Sequence, residues 1–243
     1  MTAADTPSLN DNYITLDSVS KTYGDDSTST HVLNNISLSV AAGEQLAVLG
    51  HSGCGKSTLL NLISGIDNVD SGRITVGGVE LTGLSEKDRT LFRREHIGFV
   101  YQSFNLIQTL TAVENIQLPL QLNNFSAAEI KDKTEEILDR VGLANRANAF
   151  PDQLSGGEQQ RVAIARAMVH SPSLVLADEH TGNLDADTGR EMIQLFTELA
   201  ESRKQTVLMV THSLTIAKTA SRLVRFSNGE LLTDENADSS LAW

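Results

Sequence analysis

Gly50-His51-Ser52-Gly53-Cys54-Gly55-Lys56-Ser57 is the stretch on which the reading of this chain turns. It fits G-x-x-x-x-G-K-[ST]. An apolar run, Leu46–Leu49, stands directly before it, and Leu59, Leu60, Leu62 and Ile63 follow at helical spacing. Glu44–Leu49 is therefore expected to be a buried strand, the glycines a loop, and the residues after it an amphipathic helix. The chemistry that needs such a loop is the binding of a dense anion such as a triphosphate. Backbone N–H groups must wrap it, and glycine allows the dihedrals and the close approach. Lys56 supplies a point charge to the outer phosphates and Ser57 a hydroxyl to Mg²⁺. The candidate nucleotide contacts are Gly50, His51, Ser52, Gly53, Cys54, Gly55, Lys56, Ser57 and Thr58. Cys54 stands at a variable position and reads as a small tolerated residue, whose thiol would open the site to alkylation or oxidation.

Further along, Ser173-Leu174-Val175-Leu176-Ala177-Asp178-Glu179 reads as a buried strand ending in two carboxylates. Alone, such a pair is equally a solvated acidic turn. Beside a phosphate loop it acquires a chemical role, because open α/β sheets bind ligands beyond the carboxyl ends of their strands. Asp178 would reach the Mg²⁺ region through water. Glu179 would face a water near the terminal phosphorus, where in-line hydrolysis needs that water oriented and partly deprotonated.

The remaining chain fits the same class. Tyr13–Val19, His31–Val40, Arg73–Val76, Ile97–Tyr101 and Thr206–Val210 read as strands, and Lys21–Thr30 as a turn. From about Ser103 to Phe150 the pattern turns helical. Ser126 with Glu129 makes a capping box, Ile130, Thr134, Ile137, Leu138 and Val141 share a face, and Gly142 suits the stop. Met192, Leu195, Phe196 and Leu199 form another stripe. Leu223–Phe226 and Glu230–Leu232 flank Asn228-Gly229 as a hairpin. Residues 1–12 are polar and expected to be disordered, and the acidic tail 233–243 loose. The fold class is α/β, a parallel-sheet core with a helical insertion.

Composition narrows the function. The 243 residues carry 19 Lys+Arg against 31 Asp+Glu, a formal net charge of −12. That balance argues against a chain that clamps nucleic acid or an anionic membrane surface, though it leaves room for a local basic site. With 40% hydrophobic and 21% charged residues, collagen, coiled coil and wholesale disorder are excluded. A lone cysteine excludes a disulfide framework and a Cys-based zinc site. The N-terminus lacks a basic start followed by an apolar core. Apolar runs such as Leu174–Ala177 last about four residues, where a bilayer crossing needs roughly 20. A cytoplasmic chain is expected, with any membrane crossing left to another subunit.

Leu154-Ser155-Gly156-Gly157-Glu158-Gln159-Gln160 precedes a helix carrying Val162, Ile164, Ala165 and Met168, and so makes a second anion-binding helix end. This segment resembles the signature motif of ABC transporter ATPases, and the other motifs follow in order. Gly50–Ser57 resembles Walker A, Leu174–Glu179 Walker B, Gln102 the Q-loop glutamine, Gly182-Asn183-Leu184-Asp185 the D-loop, and His212 the switch histidine. Tyr23 resembles the aromatic that stacks on adenine, with core packing as the alternative reading. The resemblance covers roughly residues 13–232.

The resemblance implies a P-loop NTPase core with a mainly parallel sheet, an antiparallel β subdomain and an α-helical subdomain inserted at about 103–155. It implies ATP hydrolysis with Mg²⁺, the metal region drawing on Ser57, Gln102 and Asp178, and catalysis on Glu179, His212 and Gln102. Two copies would close head to tail as a homodimer around two ATP molecules. Each ATP would then lie between the phosphate loop of one copy and Leu154, Ser155, Gly156, Gly157 and Glu158 of the other, with Asp185 of the D-loop at the junction. An integral membrane permease is the implied partner, and the cytoplasmic face of the cell membrane the implied place. Residues 102–122 and 181–185 resemble the subfamily serving lipoprotein release, macrolide-type efflux and cell-division permeases, in which the cassette can act as a mechanotransmitter. Phe104, Leu106, Ile107 and Leu110 suit a docking groove beside the catalytic loop, and core burial explains them as well. One departure stands out: the family has proline after the catalytic glutamate, and this chain has His180, which lifts a backbone restraint and adds a titratable group. Soluble ABC-type ATPases of DNA repair or translation are the alternative. The former carry a long coiled coil between phosphate loop and signature, the latter two cassettes per chain, and neither feature is present in this sequence.

Overall fold

The computed structural model describes residues 12–24, 29–178 and 186–236. A six-stranded sheet forms its centre. In chain order the elements are β1 (Asn12–Tyr23), β2 (Thr30–Ala41), β3 (Gln45–Leu49), α1 (Lys56–Ile63), β4 (Ser71–Val76), β5 (Val79–Glu80), α2 (Glu86–His96), β6 (Ile97–Val100), α3 (Ala112–Leu122) and α4 (Ala127–Arg140). There follow α5 (Gly156–Met168), β7 (Leu174–Asp178), α6 (Ala186–Ser202), β8 (Thr206–Thr211), α7 (Leu214–Ala217), β9 (Arg222–Ser227) and β10 (Glu230–Asn236).

The central sheet runs β10-β9-β3-β8-β7-β6. All its pairings are parallel except that of the edge strand β10 with β9. A second, antiparallel sheet runs β2-β1-β4-β5. The apolar runs read from the sequence are continuous because both faces of the central sheet are covered. Leu46, Val48, Leu174, Leu176, Leu208 and Val210 point to one side, where α1 and the antiparallel sheet pack. Their neighbours Ala47, Leu49, Val175, Ala177, Val207 and Met209 point to the other, into α3, α5 and α6. The period-2 alternation of side chains thus feeds two cores from one set of strands.

Several elements differ from the sequence reading. β1 runs on through Lys21 and Thr22 to Tyr23, within the segment expected to turn. α2 was not expected: its buried side chain is Arg89, so it lacks an apolar stripe, although Ser85 accepting from the Asp88 N–H and the cations Arg93 and Arg94 at its end mark it in retrospect. Residues 103–111 are irregular instead of helical, with Phe104 and Asn105 in left-handed backbone at φ 59° and 48°. Helix begins only at Ala112, behind a capping box of Thr111 and Glu114. The expected box of Ser126 and Glu129 is present, and β10 continues beyond Leu232 to Asn236.

Candidate active site

Strand register gathers the motif residues at one edge of the central sheet. Leu49 lies opposite Thr211, Val210 opposite Asp178, and Ala177 opposite Val100. The chain therefore leaves β3 at Gly50, β8 at His212, β7 beyond Asp178 and β6 toward Gln102, all on the same side. Three strand spacings, roughly 14 Å, separate the first from the last. Glu179, His180 and the D-loop segment with Asp185 lie outside the described residues.

The phosphate-loop motif begins by following β8, as the Gly50 N–H donates to the Thr211 carbonyl at 3.1 Å. A side chain on Gly50 would meet the Phe226 carbonyl oxygen at 2.3 Å, so the loop can pass β9 only without one. Gly55 caps α1 at φ 110°, a left-handed conformation that turns the loop into the helix. Lys56 is 5% exposed, and its Nζ donates to the Gly50 and His51 carbonyls at 2.8 Å each. The ammonium is thus held inside the curl of the loop. Ser52, Gly53 and Ser57 are exposed, and Cys54 and Thr58 half-buried.

Around this loop, Asp178 is half-buried at the end of β7 and Gln102 exposed two residues past β6. His212 is exposed and set by its neighbours: the buried Thr211 hydroxyl accepts from the Ser213 N–H at 3.0 Å, and the Ser213 hydroxyl caps α7. The segment after Gln102 is pinned by two residues that sequence reasoning missed. Asn115 binds it from α3, and Arg166 on α5 donates to the Asn105 and Phe104 carbonyls at 2.6 and 2.8 Å. Of the four apolar residues expected at a docking surface, Leu106 is buried and Ile107 exposed. Ile107 lines a groove with Phe99, Tyr101, Leu118, Leu122 and Arg166.

Tyr23 is 41% exposed at the end of β1, which removes the core-packing reading. Its hydroxyl donates to Asp67. Burial works against the Asp67 carboxylate, yet hydrogen bonds from Tyr23, the Asn68 N–H and Lys21 together hold its pKa below the ordinary value. Burial and the Asp67 charge raise the Tyr23 phenol.

The second glycine turn stands at the start of α5. Ser155 and Glu158 form a capping box, with Ser155 N–H donating to Glu158 at 2.8 Å, and Ser155 and Gly156 are exposed. That backbone bond is the main cause holding the Glu158 carboxyl below its usual range. Arg146, another residue not singled out from sequence, donates to Glu158 at 3.1 Å and to the Gln153 carbonyl. Gln159 ties the turn from within through the Pro151 and Leu154 carbonyls.

The chain matches the ABC transporter family over residues 33–182. An uncharacterized ABC transporter ATP-binding protein of Mycobacterium tuberculosis is 47% identical over 225 residues, 93% of this chain and 91% of that protein. The lipoprotein-releasing system ATP-binding protein LolD of Colwellia psychrerythraea is 46% identical, over 88% of this chain and 83% of that one. The ABC transporter ATP-binding protein YtrE of Bacillus subtilis is 46% identical, over 82% of this chain and 87% of that one. Among solved structures, the ATP-binding cassette MJ0796 as a dimer bound to ADP and Pi aligns with a TM-score of 0.85 and 38% identity, over 93% of this chain and 100% of that one. A glycine-rich loop opening α1, a carboxylate and a histidine on the neighbouring strand ends, and this breadth of likeness agree: the chain belongs to the ABC transporter family, as one of its ATP-binding, ATP-hydrolysing cassettes.

Proposed function

We propose that this chain is the ATPase subunit of a membrane transport complex, in which ATP joins two copies head to tail and the closure drives a separate integral membrane permease. The observation that carries the reading is the register that brings Gly50, His212, Asp178 and Gln102 to one sheet edge beside the N-terminus of α1. The cassette spans residues 13–232, with the helical subdomain at about 103–155. Among the described residues no helix is long and apolar enough to cross a membrane. The bilayer therefore falls to the permease, with this chain docked at the cytoplasmic face through the groove that Ile107 and Leu122 line. The likeness to LolD favours export, lipoprotein extraction or mechanotransmission as the work done.

The residues divide the chemistry as follows. Tyr23 stacks on the base. The N–H groups of residues 50–58 wrap the phosphates, and Lys56 exchanges the Gly50 and His51 carbonyls for phosphate oxygens. The exposed Ser57 hydroxyl, the Asp178 carboxylate and the Gln102 amide are all oxygen donors, a set that suits a hard divalent cation shared with phosphate. Mg²⁺ held by these groups would supply positive charge to the outer phosphates. Glu179 accepts a proton from the water that attacks the terminal phosphorus as the bond to ADP breaks, and His212 holds the terminal phosphate and that water. The Leu154–Glu158 turn of one copy covers the ATP held by the other. Its exposed Ser155 and Gly156 and the dimer described for MJ0796 support this part.

Glu179→Gln tests the reading. Hydrolysis is expected to vanish while ATP-dependent dimerisation, followed by size-exclusion light scattering, persists. Hydrolysis at the wild-type rate would remove Glu179 as the base. A variant that stays monomeric with ATP, alone and with its permease, would remove the head-to-tail dimer.

A further inference from the structure

The end of β1 is gripped by the segment that follows α1. Lys21 and Tyr23 are two residues apart on one strand and share a face. Lys21 Nζ lies 5.0 Å from the centroid of the Tyr23 ring. The same ammonium donates to Asp67 Oδ1 at 3.1 Å and to the Asn68 carbonyl at 2.7 Å, and it lies 3.7 Å from Asp70. The other Asp67 oxygen accepts from the Tyr23 hydroxyl, and Asp70 accepts from the Thr22 N–H at 2.6 Å. The gripping segment is itself fixed to α1, since Ile66 and Asp67 N–H groups donate back to the Asn61 carbonyl at 2.9 and 3.3 Å. Tyr23 also meets the Thr58 hydroxyl in the first turn of α1. An exposed ring is thus tied to both ends of the helix that opens with the phosphate loop, while the cation that occupies one of its faces is 8% exposed.

The geometry points to Asp67 as the positioning residue of the nucleobase platform: together with Lys21 it locks the Tyr23 ring against α1, leaving the ring face opposite Lys21 to receive the base at a fixed distance from the phosphate loop. This inference rests on the proposed stacking role of Tyr23. A tyrosine at the end of a strand would otherwise sample several rotamers, and each binding event would have to freeze it. A ring held in advance on one face by a cation and at its hydroxyl by a carboxylate offers a flat purine a ready surface.

Two ligands separate this role from a structural one. ATP carries a base, and inorganic tripolyphosphate presents the phosphates alone. Titration calorimetry on the full chain is expected to show Asp67→Ala and Tyr23→Phe each weakening ATP by roughly three- to tenfold while leaving tripolyphosphate unchanged. The double variant should be no weaker than the worse single one, because both break the same hydrogen bond. For Asp67→Ala, turnover at saturating ATP should hold, so that KM rises with kcat constant. Asp67→Asn, which keeps an acceptor oxygen, should recover most of the loss. Equal weakening of ATP and tripolyphosphate by Asp67→Ala would overturn the proposal, since Asp67 would then be supporting α1 and its loop. So would additive effects of Asp67→Ala and Tyr23→Phe. If Tyr23→Ala weakens ATP and Asp67→Ala does not, the platform stands and the role of Asp67 falls. If Tyr23→Ala leaves ATP binding intact, the stacking role itself falls.

Discussion

Asn115 and Ile107 close a two-way amide pair across eight residues. The Asn115 side-chain oxygen accepts from the Ile107 N–H at 2.9 Å, and its nitrogen donates to the Ile107 carbonyl at 3.1 Å. The same nitrogen reaches the Leu110 and Thr111 carbonyls at 3.0 Å each, and Asn115 is fully buried. One side chain thus does for residues 107–111 what a ladder of backbone bonds does inside a helix. The segment that leaves Gln102 is therefore fixed although it has no regular structure.

Asn115→Leu keeps the volume and strands several buried backbone groups. We expect a loss of about 2–4 kcal/mol in denaturant unfolding. ATPase turnover should fall as well, because the segment bearing Gln102 is no longer held. Unchanged turnover in a destabilised variant would separate the staple from the site.

Arg166 supports the same segment from α5. Its planar fork bonds two successive carbonyls, those of Phe104 and Asn105, whose backbones are both left-handed. A lysine ammonium cannot span both with the same geometry. Arg166→Lys should cost about 1–2 kcal/mol by chemical denaturation. Limited proteolysis should then cut first within residues 103–111, a site the wild type protects.

These two residues explain where the sequence was opaque. The central strands were legible because burial on both faces writes itself as an uninterrupted apolar run, as in Leu174–Ala177 and Thr206–Val210. The loop between β3 and α1 was legible because its glycines and the Lys56-Ser57 pair stand at fixed spacing after an apolar strand. Residues 103–111 read as helix because their apolar content resembles that of α3, while the Asn115 amide that opposes helix there acts from outside the window. α2 was missed because a buried arginine takes the place of its apolar stripe. The Lys21 and Asp67 clamp joins residues 46 apart, a pairing that one sequence does not announce.

Glycine at 50 is required by space, and at 53 by backbone angle. A methyl group on Gly50 would lie 2.3 Å from the Phe226 carbonyl oxygen and 2.8 Å from Cys54 Sγ, whereas one on Gly53 would meet nothing within 4 Å although φ is +78°. The Phe226 oxygen belongs to β9 and cannot yield without shifting the sheet. Gly50→Ala is therefore expected to cost about 2–4 kcal/mol and to abolish ATP binding. Gly53→Ala should cost only about 1–2 kcal/mol of strain and weaken binding modestly. Thermal unfolding and ATP titration of the two variants should rank them in that order, and the reverse order would refute the steric account.

His170 gives the fold an acid sensitivity whose sign follows from its surroundings. Burial, opposed by the Ile97 backbone and reinforced by the nearby Arg203 and His96, pushes its pKa from an ordinary 6.5 to about 4. The folded chain therefore keeps this imidazole neutral between those values, while the unfolded chain protonates it. The unfolded state binds the extra proton, so stability is fully present above pH 6.5 and declines as the pH falls toward 4. Integrated over that window the loss amounts to about 3 kcal/mol. Glu158 adds to it at the low end, because a carboxyl held below its usual range stabilises the fold only until it is protonated. His170→Asn removes the first contribution and leaves the second. Its denaturation midpoint should lie below that of the wild type at pH 7.5, through lost packing, and the gap should narrow steadily as the pH is taken from 6.5 to 4.5. A gap that stays constant across that range would mean that His170 titrates alike in the folded and unfolded chains, contrary to its burial.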